Sequence, residues 1–246
     1  MSKASMARSK PHRPLKRGQA DLTVVSSAGA KRKRVAGLDV LEILRQRIAS
    51  HVLAPGSMLR ENVLADEFGV SRARIREAFG ALEERGLIVR IANRGAMVTR
   101  LDSKQIFEIF DVRIELEALC AREAARKAPD GGWDDLQVSF GQELEKKIAE
   151  GNFLAYLDAL VALRKRMIQF ADNSIAENML DLVYDKAQVI ARRVVILPGR
   201  AEFGRKLHLQ LLEAFMARDA EAAERVKREI IASARETARK YQDFIL

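Results

Sequence analysis

The chain has 246 residues, 48% of them hydrophobic, and a formal net charge of +9. That length suits one large or two modest domains with an adequate core. A single Cys excludes an intramolecular disulfide framework and fits reducing cytosol. No apolar run nears the ~18 residues of a membrane span and no apolar segment follows the basic N-terminus, which argues against a membrane-embedded or secreted protein.

The charge is unevenly placed. Residues 1–34 hold ten basic side chains and one acid, Asp21. Residues 35–101 hold ten Arg against eight acids, and 102–246 hold 23 basic side chains against 25 acidic. The whole excess therefore belongs to 1–34, which lacks apolar periodicity and reads as a disordered basic tail. An arm for non-specific phosphate contacts, an inert extension and a transit peptide all fit it.

In 35–101 an amphipathic helix is expected over 38–51, with Leu41, Leu44, Ile48 and Val52 inward, ended by Pro55-Gly56. A short helix over 61–68 follows, with Leu64, Ala65 and Phe68 inward. After the Gly69-Val70 turn, Ser71 is a natural N-cap for a third helix. That helix runs to Arg85 and stops at Gly86, with Ile75, Ala78, Phe79 and Leu82 as its core face. Leu87, Val89 and Ile91 alternate, as do Ala96 and Val98, around an Asn93-Arg94-Gly95 turn. This is the order of a winged helix-turn-helix domain.

Arg72 and Arg76 share one face of the third helix, and Arg74 lies on the adjoining face. They crowd the end where free N–H groups already favour phosphate. A recognition helix reads bases through its N-terminal residues, and Arg suits bidentate contact with guanine. Arg94 is placed to reach phosphate or the minor groove from the wing tip.

Several segments taken together, Pro55-Gly56-Ser57-Met58-Leu59, Leu64-Ala65-Asp66-Glu67-Phe68-Gly69-Val70-Ser71-Arg72, Arg76-Glu77-Ala78, Leu82-Glu83-Glu84-Arg85-Gly86-Leu87-Ile88 and Asn93-Arg94-Gly95-Ala96, resemble the DNA-binding domain of the GntR family. The resemblance implies DNA contacts from Asn62, Ser71, Arg72, Ala73, Arg74, Arg76, Arg94 and Gly95. Where the family commonly has Pro, this chain has Arg74, a candidate extra contact.

From 102 to 246 the pattern is all helical. Six helices are expected, at 103–127, 133–150, 152–171, 175–197, 202–217 and 220–244, and a bundle is the economical architecture. The fold class is thus mainly α: a winged helix-turn-helix followed by a helical bundle. In the first of the six, Ile106, Phe110, Arg113, Glu117, Cys120 and Ala124 form one stripe. Arg113 and Glu117 interrupt it. Either they pair with each other, or Arg113 holds an anionic ligand; Cys120 reads as core. In Arg164-Lys165-Arg166 at least one cation is expected to face the interior, unless its stem snorkels to water. Arg192-Arg193 raises the same question. His208 shares a stripe with Leu211, Leu212 and Phe215, as a core residue or a pocket residue.

Arg113 with Leu116-Glu117, then 208–215 and Arg218-Asp219-Ala220-Glu221-Ala222-Ala223, resemble the FCD effector domain of the FadR subfamily, in its shorter VanR-like branch. Many members of that family bind a divalent metal through one Asp and three His. By pattern those positions fall at Val161, Lys165, His208 and about Ile230, so only His208 survives. The other two His, His12 and His51, lie outside 102–246, and no metal or other cofactor is expected. The neighbourhood that usually reads Ala-Ser-Gly-Asn is here Ala171-Asp172-Asn173-Ser174. Lys165 in place of a ligand suggests that an ammonium, with Arg113, grips a carboxylate directly; Arg164, Arg192 and His208 complete the expected pocket.

No paired catalytic carboxylates, Ser/His/Asp order, phosphate-cradling Gly loop or HExxH motif occurs, so an enzyme is not expected. The expectation is a cytoplasmic, nucleoid-associated regulator, most often a repressor. It binds a palindromic double-stranded operator as a homodimer and answers to a small organic or sugar acid. The alternative is a DNA-binding dimer that has lost its effector.

Overall fold

The structure, a computed structural model, describes residues 39–92 and 94–245. The expectations for 1–34, for a helix start at Leu38 and for Asn93 in the wing turn lie outside those residues.

Helix α1 (Val40–Ala49) starts where the Asp39 side chain accepts from the Glu42 N–H. It buries Val40, Leu44 and Ile48, whereas Val52, expected inward, lies beyond its end and is 70% exposed. Helix α2 (Glu61–Phe68) ends at Gly69, whose φ of 67° is left-handed. Helix α3 (Arg72–Glu84) is capped by Ser71 Oγ, which accepts from the Arg74 N–H, and buries Ile75, Ala78, Phe79 and Leu82.

Three strands complete this part: β1 (Met58–Leu59), β2 (Ile88–Ile91) and β3 (Gly95–Val98), antiparallel in the order β1-β3-β2. Ile88 faces Val98 and Leu59 faces Ala96, and all four are buried. The alternation expected for Leu87, Val89 and Ile91 is out by one. Leu87 packs inward ahead of β2, Ile88 is the buried strand residue, and Val89 is 45% exposed. Burying a Leu, Ile or Phe from this core contributes about 1.5–3 kcal/mol.

The helical part opens with α4 (Ser103–Lys127), held by a reciprocal capping box between Asp102 and Gln105. The helix expected over 133–150 is two helices, α5 (Asp134–Ser139) and α6 (Gln142–Ala149), broken at Phe140-Gly141. Then come α7 (Phe153–Ala171), α8 (Ser174–Val195), α9 (Arg200–Met216) and α10 (Ala220–Lys240), with a last turn, α11 (Gln242–Ile245). Eight helices thus follow the linker among the described residues, against six expected. The Trp133 ring stacks on Phe215 with centroids 4.2 Å apart, inside a core that includes Leu144, Tyr156, Met167 and Leu211.

Helix α8 belongs to both parts. Val189 packs against the winged-helix core, while Ala187, Ile190 and Val194 pack against α4 and α10 residues such as Phe110 and Ile231. Asp185 accepts from Arg45 of α1 at 2.9–3.1 Å, and Asp181 accepts from Arg85, the C-cap of α3, at 2.6 Å.

Candidate nucleic-acid interface and ligand cavity

The start of α3 presents Arg72, Ala73, Arg74 and Arg76 to solvent. An open groove beside it is lined by Asn62 of α2, Arg72, Arg94 and Gly95 of the wing, together with Arg60 and Arg90. The structure thus brings Asn62, Arg72, Arg94 and Gly95 to one groove. Arg74 and Arg76 lie outside its lining, on the exposed side of α3. Ser71 Oγ is engaged as the cap, and Ala73 brings no polar group.

Glu61 Oε2 accepts from Arg76 Nε at 2.8 Å. An Arg90 N–H reaches the Arg76 carbonyl at 3.1 Å, and Glu83 pairs with Arg90 Nε at 3.1 Å. Arg60 and Arg90 escaped the sequence reading. The available signal was their position, one just before a helix and one near the end of a wing strand. Gly95 has φ +98°, and a Cβ there would run into the Leu59 carbonyl oxygen, so only glycine lets the wing close on β1.

The helical part encloses a cavity of about 140 Å³ lined by α4, α7, α8, α9 and α10. Its polar centre is Glu117, 1% exposed. Arg113 Nε donates to Glu117 Oε1 at 2.7 Å. Lys227 Nζ lies 2.8 Å from Oε2, an ion pair in distance but off hydrogen-bond alignment. Burial pushes the Glu117 carboxyl up, but Arg113, Lys227 and Arg164 outweigh it and hold the group well below the usual carboxylate range. Arg113 thus pairs with Glu117, the first of the two alternatives, while also lining the cavity.

Arg164 lines the cavity with its guanidinium 3.6 Å over the Tyr184 ring, and burial lowers its pKa from the ordinary value. His208 is buried, its Nδ1 donating to the Gly204 carbonyl at 2.7 Å, with the Tyr156 hydroxyl 3.1 Å from the same nitrogen. Burial first, then the Lys227 ammonium, push His208 down to about 3, so the imidazole is neutral. Arg192 also lines the cavity. Arg200 is turned to Ser233 Oγ and the Ile230 carbonyl.

Lys165 is a correction. It is exposed and absent from the cavity lining, because Leu163 and Met167 on either side take the buried face of α7. Its neighbour Arg164 faces inward instead. The second interior cation is Lys227 of α10, which the sequence reading missed. Its signal is the stripe Ala223, Lys227, Ile230, Ile231, where a lysine interrupts an apolar face as Arg113 does on α4. Cys120 is core, its thiol pushed up to about 11 by burial.

A divalent metal does not fit these residues. Among the described residues no group of three His, Cys, Asp or Glu side chains could hold one. The cavity also sets Arg113, Arg164, Arg200 and Lys227 around its one neutral imidazole, and cations repel a metal.

Residues 37–98 match the family described as bacterial regulatory proteins, gntR family, and residues 108–233 match the FCD domain. The chain is 30% identical over 183 residues to the uncharacterized HTH-type transcriptional regulator YdhC of Bacillus subtilis (strain 168), covering 73% of this chain and 80% of that one. It is 29% identical over 208 residues to the HTH-type transcriptional repressor RspR of Escherichia coli (strain K12), covering 82% and 88%. In fold it resembles the solved structure of E. coli McbR/YncC, with a TM-score of 0.71 at 20% identity, covering 83% of this chain and 96% of that one. The matches join a winged DNA-binding unit to a helical unit of regulators, not of enzymes. The chain belongs to the GntR family of bacterial transcriptional regulators, in the group that carries an FCD domain.

Proposed function

We propose that this regulator is a repressor that binds a palindromic operator as a homodimer and is controlled by a small anionic effector in the helical cavity. Residues 35–101 form its DNA-binding domain, and 102–246 its effector and dimerisation domain; it works in the cytoplasm, on the nucleoid. The observation that carries the effector reading is the cavity itself, with Arg113, Arg164, Arg192, His208 and Lys227 around a buried carboxylate. DNA contacts come from Arg72, Arg74 and Arg76 on α3, Asn62 on α2 and Arg94-Gly95 on the wing, with Ser71 and Ala73 at the helix start. Arg60 and Arg90 add charge to the same groove. Exposed Ile175, Met179 and Leu182, spaced four and three on α8, support association with a second copy. Repressor action is suggested by the similar proteins named as repressors.

The test is operator selection on random DNA, then binding of Arg72→Ala at several salt concentrations. A lost guanine contact weakens the selected site by about 1–3 kcal/mol and leaves non-specific binding nearly intact. Unchanged operator affinity overturns the assignment. One observation favours a second reading, a regulator without effector: Glu117 already pairs with Arg113 and Lys227. Release from the operator by a carboxylate decides between the two.

A further inference from the structure

We propose that the cavity takes a compact monocarboxylate with an aromatic or branched aliphatic body, received by Arg164 and by the apolar walls of α7 and α8. This rests on the effector reading above and narrows it against sugar acids and polycarboxylates.

Size comes first. The cavity measures about 140 Å³, close to the roughly 150 Å³ of an engineered apolar cavity that binds benzene. The space suits one ring or a short branched chain.

The walls come second. Leu157, Leu160, Ala187, Ile190, Ala191 and Val194 line it, and an apolar body gains by displacing water from them.

Polar groups come third. Glu117 is occupied by Arg113 and Lys227, His208 by the Gly204 carbonyl and Tyr156, and Arg200 by Ser233 and the Ile230 carbonyl. A polyhydroxylated acid would bury several hydroxyls against mainly apolar walls where Glu117, His208 Nδ1 and Arg200 already have partners, and each unmet hydroxyl opposes binding.

Arg164 differs. Among the described residues no carboxylate lies within ion-pair distance of it, and its partner is the Tyr184 ring and hydroxyl. A guanidinium carries five donors in a fork that fits one carboxylate bidentately. A second carboxylate or a longer chain is disfavoured by the size of the space, about 140 Å³.

The experiment uses the full chain in thermal denaturation and calorimetry against two sets of probes. Benzoate, phenylacetate, cyclohexanecarboxylate and isovalerate form the compact set; gluconate, galactarate and citrate form the polar set. At least one compact acid is expected to raise Tm in a concentration-dependent way. Arg164→Gln is expected to weaken that acid at least tenfold, and Arg164→Lys less, with circular dichroism unchanged for both. If Arg164→Gln fails to fold, Tyr184→Leu provides the same test from the other side of the stack. Binding by the polar set alone overturns the assigned class but leaves the effector reading standing. Binding by neither set overturns both. Compact-acid binding insensitive to Arg164→Gln, Arg164→Lys and Tyr184→Leu overturns the assigned site.

Discussion

Replacing Asp185 by Ala is expected to loosen the contact between the winged-helix unit and α8 without unfolding either core. The Asp185 side chain is 8% exposed, and Arg45, which it grips, 18%, so the pair is closer to a buried ion pair than to a surface one. Surface pairs contribute about 0–1 kcal/mol, whereas removing one partner of a buried pair costs about 3–5 kcal/mol. Here the orphaned guanidinium keeps Glu42 at 3.2 Å and Asp181 at 3.5 Å, so a loss of about 2–3 kcal/mol is expected. A double-mutant cycle with Arg45→Ala, by urea denaturation at fixed pH and salt, isolates the pair; a coupling of about 1–3 kcal/mol is expected. The chain has one Trp, Trp133 in the helical core, so fluorescence follows that unit while circular dichroism follows both. The variant is expected to separate the two transitions. Coupling below about 0.5 kcal/mol, with coincident transitions in every variant, would refute the reasoning.

Gly95→Ala is expected to cost about 1–3 kcal/mol by strain at φ +98° and a clash with the Leu59 carbonyl, and to weaken operator binding, as denaturation and mobility-shift titration will show. His208 falls from 6.5 to about 3 on folding, so the unfolded chain binds its proton first. Stability from the neutral imidazole is complete above pH 6.5 and declines by about 1.4 kcal/mol for each unit below it, until His208 itself titrates. His208→Gln is expected to flatten that slope between pH 6.5 and 4.5, and an unchanged slope would count against it. Deleting 1–34, which carries ten basic side chains and one acid, is expected to reduce the salt slope and non-specific affinity while operator choice survives; loss of operator choice in a binding selection would move sequence reading into that segment.

The recognition helix was legible because its signals are local. Ser71 caps it, Gly86 follows its end with φ +65°, and four apolar side chains at helical spacing supply its buried face. The break at Phe140-Gly141 was not legible, because Leu136, Phe140, Leu144 and Ile148 are all buried at intervals of four and the period runs through the break. Two-residue β1 is too short to carry a pattern. At Arg164-Lys165, neighbouring positions lie about 100° apart on a helix, so either could have faced inward. Packing of α7 on its neighbours decides, and that is tertiary information.

The charge sums also conceal the cavity. The segment 102–246 holds 23 basic and 25 acidic side chains, close to balance, yet its interior is not balanced. Arg200, Arg205 and Lys227 are buried there, against Glu117 and Asp185. Near-neutrality arises because the remaining acids mostly lie outside. Each interior cation then needs an acceptor of its own. Lys227 and Arg113 have Glu117, Arg200 has the Ile230 carbonyl, and Arg205 has the Phe140 carbonyl and Glu145. Arg164 has the face of Tyr184, and a ring quadrupole compensates a desolvated cation less fully than a carboxylate does. On the proposal above, the incoming carboxylate is matched at Arg164, where α7 meets α8. Through Asp181 and Asp185, α8 also holds Arg85 at the end of α3 and Arg45 on α1, so a cavity cation without a carboxylate partner stands beside the helix that contacts the winged-helix unit.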